Sequence, residues 1–520
     1  MSDQTITFLI LGVTVAVFIW DRLPVGVVAL GVALSVWATG VLNLEQALGG
    51  FGDPTVIFIA SLFVVSEALD STGVTSWAGQ QLIARSGSSR ARVIVLMMLL
   101  VAVLTALISV NGSVAALLPV VAVMALRLRM SPSQLLMPLA FGAHAGSLLA
   151  LTGSPVNVIV SEAADDAGVG RFGFFEFALV GLPLLVGTIA IVVLFGERLL
   201  PQRKARTITR DFGGLARTLV EQYGLAGDPD ALVSRRSGLA EVIVPPRSAL
   251  IGETVFPGEV TDSGDLVILG VQRQGSDLPG ETTLAAGDTL LMQGDWGALE
   301  YHLDDPEVVL VDDPALVRRQ AVPLGPGAAQ ALVVLAGMVI LLAGGFVPPA
   351  VAGLLAAGGM ILSGVLTIDQ AYRGIAWTTV ILVAGMIPLS TAMVSSGAAE
   401  TLAEGLVDLV RDAGSYALLV GLVLLTFGLG QLISNMATAL IVIPIAVSAA
   451  DELDVSPKPV LMAVCVASAG AFLTPVATPA NLMVMAPGGY RFGDYWKLGL
   501  PLLALFGVVA VLLVPAIWSF

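Results

Sequence analysis

The residues in this sequence whose types and spacing could do chemistry are neutral oxygens and amides, set where an apolar chain has to break. AFLTPVATPANLMV (471–484) carries Thr474-Pro475, Thr478-Pro479 and Asn481, and SLLALTGSPVNVIV (147–160) repeats the design with Thr152, Gly153, Ser154, Pro155 and Asn157. Proline has no N–H for a helix ladder, so each segment is expected to open at membrane depth. The freed carbonyls and amides must then find partners in protein or in a polar cavity, because lipid offers none. Two shorter polar joints, SVNGS (109–113) and SNMAT (434–438), interrupt apolar stretches as the tips of re-entrant hairpins would. Helix starts present free amides and a positive dipole end to an anion. Unwound carbonyls together with Ser, Thr and Asn oxygens suit a hard cation such as sodium. None of the four stretches holds a lysine or arginine. Anion binding would rest on amides, Asn and hydroxyls, with cation charge helping.

The chain around them is built for lipid. It has 520 residues, 56% hydrophobic and 12% charged, with mean hydropathy +0.93, against about a quarter charged in soluble domains. Apolar stretches near the length that crosses a bilayer recur through most of it. The opening MSDQTITFLILGVTVAVFIWDRLP lacks a basic start and a small-residue cleavage site, which predicts a retained first span. Cys465 is the single cysteine, so no disulfide framework or cysteine metal cluster is expected. The net charge of −15 argues against a nucleic-acid partner. There is no GxxxxGK[ST] phosphate loop and no HExxH, and the only histidines are His144 and His302. An ATP-driven pump or an enzyme is therefore not expected.

Composition turns polar near residue 200 and apolar again near 325, so 1–200 and 326–520 read as membrane and 201–325 as an insert. The membrane parts are copies. GVLNLEQA (40–47) and GVLTIDQA (364–371) stand 324 residues apart, and the same shift pairs Gly73 with Gly397, Gly146 with Gly470, Pro155 with Pro479 and Asn157 with Asn481. At the hairpin tips, 324 pairs Asn111 with Asn435, whereas 325 pairs Ser109 with Ser434, Ser113 with Thr438 and Pro119 with Pro444. Such a register marks an internal duplication. Each copy reads as five spans plus a re-entrant hairpin (apolar stretches 93–108 and 114–126 in the first). An odd number of crossings inverts the second copy.

The charges agree. With the N-terminus outside, inner loops would hold Arg22, Arg85, Arg90, Arg92, Arg127, Arg129, Arg198, Arg203, Lys204, Arg318, Arg319, Arg373, Arg491 and Lys497. Outer loops would keep only Arg171, Arg411 and Lys458, among many acids. That is the positive-inside pattern. Both termini would then lie outside the inner (plasma) membrane and 201–325 in the cytoplasm. The insert opens with PQRKARTITR and a helix expected near 211–224. Short β-like runs follow, AEVIVPP, DLVILGVQR, DTLLMQG and PEVVLV, reading as one small α/β domain at about 235–312.

SNMATALIVIP (434–444) and TPVATPANLMV (474–484), with their twins at 109–119 and 152–160, resemble the divalent anion:sodium symporter family, and PVATPAN is a specific match. The resemblance covers both membrane halves and implies an elevator-type transporter that dimerises through a scaffold of the first three spans of each half. It implies that a dicarboxylate, tricarboxylate or sulfate is held by Asn111, Ser113, Ser154, Pro155, Asn157, Ser434, Asn435, Thr438, Thr478, Pro479 and Asn481. Sodium would be held by Ser109, Asn111, Gly153, Ser434, Asn435 and Ala477. Met436 stands where the family has Thr. The insert resembles a TrkA-C regulatory domain in EVIVPPRSALIGETV and AAGDTLLMQG, which implies a cytoplasmic ligand, a nucleotide among the possibilities.

The function expected is sodium-coupled import of a small divalent anion. A proton-coupled carrier would instead put His144 at the centre, since an ionisable residue at membrane depth is a functional candidate. A channel or potassium-uptake protein gated by the insert would need a pore filter such as TVGYG, and no such run exists.

Overall fold

In the computed structural model the described residues are 2–20, 22–86, 89–128, 130–203, 219, 222–223, 232, 234, 237–302, 306–312, 324–325, 327–410, 414–475 and 477–520. Most of the helix expected near 211–224 lies outside them, as do Arg129, Lys204, Arg318, Arg319 and Arg411.

The chain divides into two compact units, one of 1–69, 81–209 and 329–520, the other of 70–80 and 210–328. The first is helical. Its first half runs α1 (Asp3–Trp20), α2 (Val25–Ala38), α3 (Leu44–Leu48), α4 (Pro54–Ser71), α5 (Val74–Ser86), α6 (Arg90–Leu107), α7 (Val110–Arg127), α8 (Leu136–Gly146), α9 (Pro155–Asp166) and α10 (Ala178–Leu199). In the second unit, α11 (Trp296–His302) follows the strands described below. The second half then runs α12 (Ala328–Ala343), α13 (Pro349–Leu362), α14 (Ile368–Gly374), α15 (Trp377–Ser395), α16 (Ala398–Val410), α17 (Ser415–Gly430), α18 (Asn435–Glu452), α19 (Pro457–Ser468), α20 (Pro479–Met485) and α21 (Tyr495–Val508), which a π-helical turn carries into α22 (Val514–Ile517).

Seven helical stretches among the described residues are long and apolar enough to cross a membrane, and several shorter apolar helices accompany them. Their outward faces are apolar: Leu362 is 90% exposed, Val333 71% and Leu194 70%. Patches of that kind are stable against acyl chains and not against water. Some buried hydroxyls return to the preceding turn, as Thr14 to the Ile10 carbonyl at 2.7 Å and Thr426 to the Leu422 carbonyl at 2.7 Å.

The duplication is visible in local chemistry. Asn43 opens α3 with a capping box closed by Gln46, and its counterpart Thr367 opens α14 with the same box closed by Gln370. It governs packing as well. A Cβ on Gly385 of α15 would stand 2.7 Å from the Ala29 backbone of α2, and one on Gly353 of α13 would stand 2.9 Å from Ser61 Cβ of α4. Ala29 and Gly353 are counterparts, and so are Ser61 and Gly385. Contacts that interchange in this way are those of a two-fold relation, here between halves of one polytopic inverted-repeat transporter fold. Small residues let the backbones approach, which is how helices pack where lipid supplies no hydrophobic drive.

One sequence expectation is corrected at the hairpins. The joints are not five-residue polar loops, because α7 begins at Val110 and α18 at Asn435. Ser109 Oγ accepts the Gly112 N–H at 3.2 Å and Ser434 Oγ the Ala437 N–H at 3.3 Å, so each serine caps its helix and the rest of the joint winds into the first turn. The matching caps select the 325-residue shift at the tips.

The second unit holds an antiparallel sheet of β1 (Ser237–Ile243), β3 (Leu266–Arg273), β4 (Ser276–Asp277), β6 (Thr289–Asp295) and β7 (Val309–Leu310), in the order β4-β3-β6-β1-β7, beside a ribbon of β2 (Thr254–Val255) and β5 (Thr282–Thr283). Alternate residues such as Val242, Ile268, Leu290 and Met292 face a core that Trp296 of α11 closes. Segment 70–80, which is the end of α4 and the start of α5, belongs to this unit and not to the first, with the Gly325 N–H on the Thr72 carbonyl at 2.8 Å.

Candidate functional site

Each break is held open by its asparagine. Asn157 Nδ2 donates to the Ser147 and Ala150 carbonyls at 2.7 and 2.9 Å. Asn481 Nδ2 donates to the Ala471 and Thr474 carbonyls at 2.7 and 3.1 Å, the same positions one repeat later. These carbonyls lie where the ladder is broken; Ala150 also accepts the Gly153 N–H at 3.1 Å, and burial of the others without a donor would cost each about 1–3 kcal/mol. Hydroxyls tie the breaks to the helices that lead into the hairpins: Thr152 donates to the Ala106 carbonyl at 2.7 Å and Thr474 to the Gln431 carbonyl at 3.2 Å. Gly153 allows a close pass, since a Cβ there would stand 2.3 Å from the Ser147 oxygen.

Hairpin tips and breaks converge on a cavity of about 100 Å³. Its wall includes Ser109, Asn111, Ser154, Pro155, Asn157, Ser434, Asn435, Ala477, Thr478 and Pro479. Four of the expected residues stand behind that wall. Asn481 is the clasp just described, and Gly153 is the close pass. Ser113 and Thr438 are fully buried one turn into α7 and α18, with hydroxyls that have no partner among the described residues. The wall also contains His144, which the sequence singled out for proton coupling, and residues to which it assigned no ligand role: Phe63, Ser147, Thr379, Cys465 and Ser468. For Cys465 and Ser468 the available signal was position on the helix entering a break. His144 Nε2 lies 3.2 Å from both Asn481 Oδ1 and Thr478 Oγ1, with the ring edge-on to Phe472.

The direction of the hydrogen bonds gives the cavity its chemical sign. Ser109, Ser154, Ser434 and Thr478 are all wall residues whose oxygens accept backbone N–H groups at helix starts, Ser154 from Val156 at 3.2 Å and Thr478 from Asn481 at 3.4 Å. An oxygen engaged as acceptor keeps its own proton to give. Four O–H donors thus converge where the described wall has no acid, lysine or arginine. The starts of α7, α9 and α18 add positive dipole ends. One group has the opposite preference: Asn435 Oδ1 is buried with no donor among the described residues, a lone acceptor that fits a cation. One water needs about 10–15 Å³ of such space, so the cavity takes several waters or one compact anion.

Comparison with known proteins agrees with this architecture. The family model described as "Citrate transporter" (CitMHS) matches residues 15–416 and 407–520. The uncharacterized transporter YfbS of Escherichia coli is 30% identical, with 98% of each chain covered. Sodium/sulfate cotransporter 2 of Chlamydomonas reinhardtii is 27% identical over 51% of this chain and 31% of its own. The crystal structure of the Alcanivorax borkumensis YdaH transporter shares the fold, with a TM-score of 0.51 at 13% identity over 97% of this chain and 99% of that one. The chain belongs to the citrate transporter family. It is a multi-pass membrane transporter and not an enzyme.

Proposed function

We propose that this transporter imports a small divalent oxyanion together with sodium, as a divalent anion:sodium symporter, with sulfate the best fit and a dicarboxylate or tricarboxylate the alternative. The observation that carries the reading is the set of four capping hydroxyls whose protons remain to be donated into one cavity. Such a site favours oxygens that accept from several sides. Without a fixed positive side chain in the described wall, the anion needs a mobile cation beside it. The lone Asn435 oxygen, with Ser109, Asn111, Gly153, Ser434 and Ala477 near the tips and breaks, would hold that ion as co-substrate. The compact cavity and the sodium/sulfate cotransporters among the relatives favour sulfate over the bulkier citrate.

In this reading the hairpins and broken helices carry the anion across against a scaffold of the first three spans of each half, in a homodimer. Both termini face outward, and the insert at 201–325, with its TrkA-C-like sequence, regulates transport from the cytoplasm by binding a small ligand such as a nucleotide. Purified protein in proteoliposomes, offered labelled sulfate, succinate and citrate with and without an inward sodium gradient, tests the proposal. Sodium-stimulated uptake of at least one anion is expected, and no stimulation for any of them refutes it. Uptake driven by a pH gradient instead would favour proton coupling, for which His144 on the wall is the motivating residue.

A further inference from the structure

The two breaks are alike inside and unlike in what holds them from the opposite half. Since each asparagine spends its amide protons on two carbonyls of its own break, its oxygen faces across. Asn157 Oδ1 meets Cys465 Sγ of α19 at 3.3 Å, and Asn481 Oδ1 meets His144 Nε2 of α8 at 3.2 Å. His144 and Cys465 are not counterparts in the repeat, which sets Ser468 opposite His144 and Phe141 opposite Cys465. An oxygen pinned by its own NH₂ can only accept here, so the His144 proton sits on Nε2. Thr478 Oγ1 lies 3.2 Å from the same nitrogen and 3.4 Å from the Asn481 N–H. Both neighbours donate to it, and the Thr478 proton is turned away from them.

We propose that His144 is a positioning residue for anion binding: its Nε2–H straps the second-half break to the first half and leaves the Thr478 hydroxyl proton for the anion. The inference rests on the reading that the cavity binds the anion, and two measurements on the full chain separate it from that reading. Cys465 is the sole thiol and lies on the cavity wall, 1% exposed. Its labelling by a small cationic methanethiosulfonate reports loosening of the wall whatever is transported. His144→Ala should label faster than wild type and raise the KM of sodium-driven uptake roughly five- to tenfold, the change that one lost buried hydrogen bond corresponds to. The maximal rate per folded transporter should change less. His144→Gln, which restores a side-chain N–H donor, should recover most of both losses. Should His144→Ala not be obtained folded, His144→Leu takes its place with the ring volume largely kept.

Unchanged labelling in the truncated variant overturns the strap. An unchanged KM with only less folded protein overturns the positioning role. Uptake driven by a pH gradient and abolished by His144→Gln also overturns it, because the residue would then carry the proton. If labelling responds as expected while wild type takes up none of the anions, the transport reading fails and the strap stands.

Discussion

Asn157→Ala and Asn481→Ala remove the clasp from the two breaks, so the difference between them measures how much more the second break rests on its asparagine than the first. Asn157→Ala strips the donor from the Ser147 carbonyl, while Ala150 keeps the Gly153 N–H at 3.1 Å; Asn481→Ala strips the donor from two carbonyls, those of Ala471 and Thr474. At about 1–3 kcal/mol per orphaned buried group, the loss is about 1–3 kcal/mol for Asn157→Ala and about 2–6 kcal/mol for Asn481→Ala before the chain relaxes. Asn481→Ala also takes away one of the two acceptors facing the His144 N–H, which keeps Thr478 Oγ1 at 3.2 Å. Asn157→Ala frees only the Cys465 thiol, a weak donor whose loss adds little. Asn481→Ala should therefore be the less stable by about 1–3 kcal/mol. Equilibrium unfolding in mixed micelles, followed by tryptophan fluorescence and corrected against wild type, reads the difference. Equal losses, or a larger loss for Asn157→Ala, would refute the claim that the second break depends more on its asparagine than the first.

Gly153→Ala forces the 2.3 Å approach to the Ser147 oxygen to open, and that carbonyl is one the Asn157 amide holds. Overpacking of this sort costs about 1–3 kcal/mol, and uptake per folded transporter should fall together with the melting temperature. Asn435→Ala removes an acceptor that has no donor to lose. Its melting temperature should stay close to wild type while the sodium concentration for half-maximal uptake rises roughly tenfold, about one hydrogen-bond equivalent; a matching rise in anion KM with sodium dependence intact would contradict the cation assignment. In the second unit, the Arg273 guanidinium holds the Asp288 carboxyl below its usual range, with Nε at 2.7 Å from Oδ1 and a further bond from the Ala285 N–H to Oδ2 at 2.8 Å. A depressed carboxylate stabilises above its unfolded value near 4 and loses that contribution as pH falls through the folded one. Hydrogen exchange of β3 and β6 in the full chain, corrected for intrinsic rates, should quicken on acidification in wild type. Asp288→Asn should already exchange faster at neutral pH and change less.

Much of this molecule was legible because two rules act locally. An apolar run of a given length has to be a helix in lipid, and a Thr-Pro or Ser-Pro inside it removes a ladder bond, although Pro119, Pro183, Pro388, Pro444 and Pro501 are carried inside helices. Duplication then made the breaks recognisable as a pair, and α2 and α13 fall residue for residue at the expected shift. The hairpin register was not legible, since Asn111 and Asn435 align as well as Ser109 and Ser434 until the caps are seen. The cavity wall was partly hidden for a related reason. Spacing can mark Asn157 and Asn481 as polar groups at membrane depth, yet it does not say whether an amide turns toward its own backbone or toward a ligand.

From its sequence alone this chain was bound to be a polytopic helical protein made of two like halves, each interrupted at one polar break and one polar tip. Hydrophobic length, missing proline N–H groups and repeat register depend only on neighbours along the chain. Tertiary structure decided which oxygens accept and which still hold a proton to give. It set Asn481 against His144 and Asn157 against Cys465, and left the hydroxyls of Ser113, Thr438 and Ser468 without partners among the described residues. Hydrogen-bond direction is a property of the groups on both sides, and those groups come from helices more than three hundred residues apart.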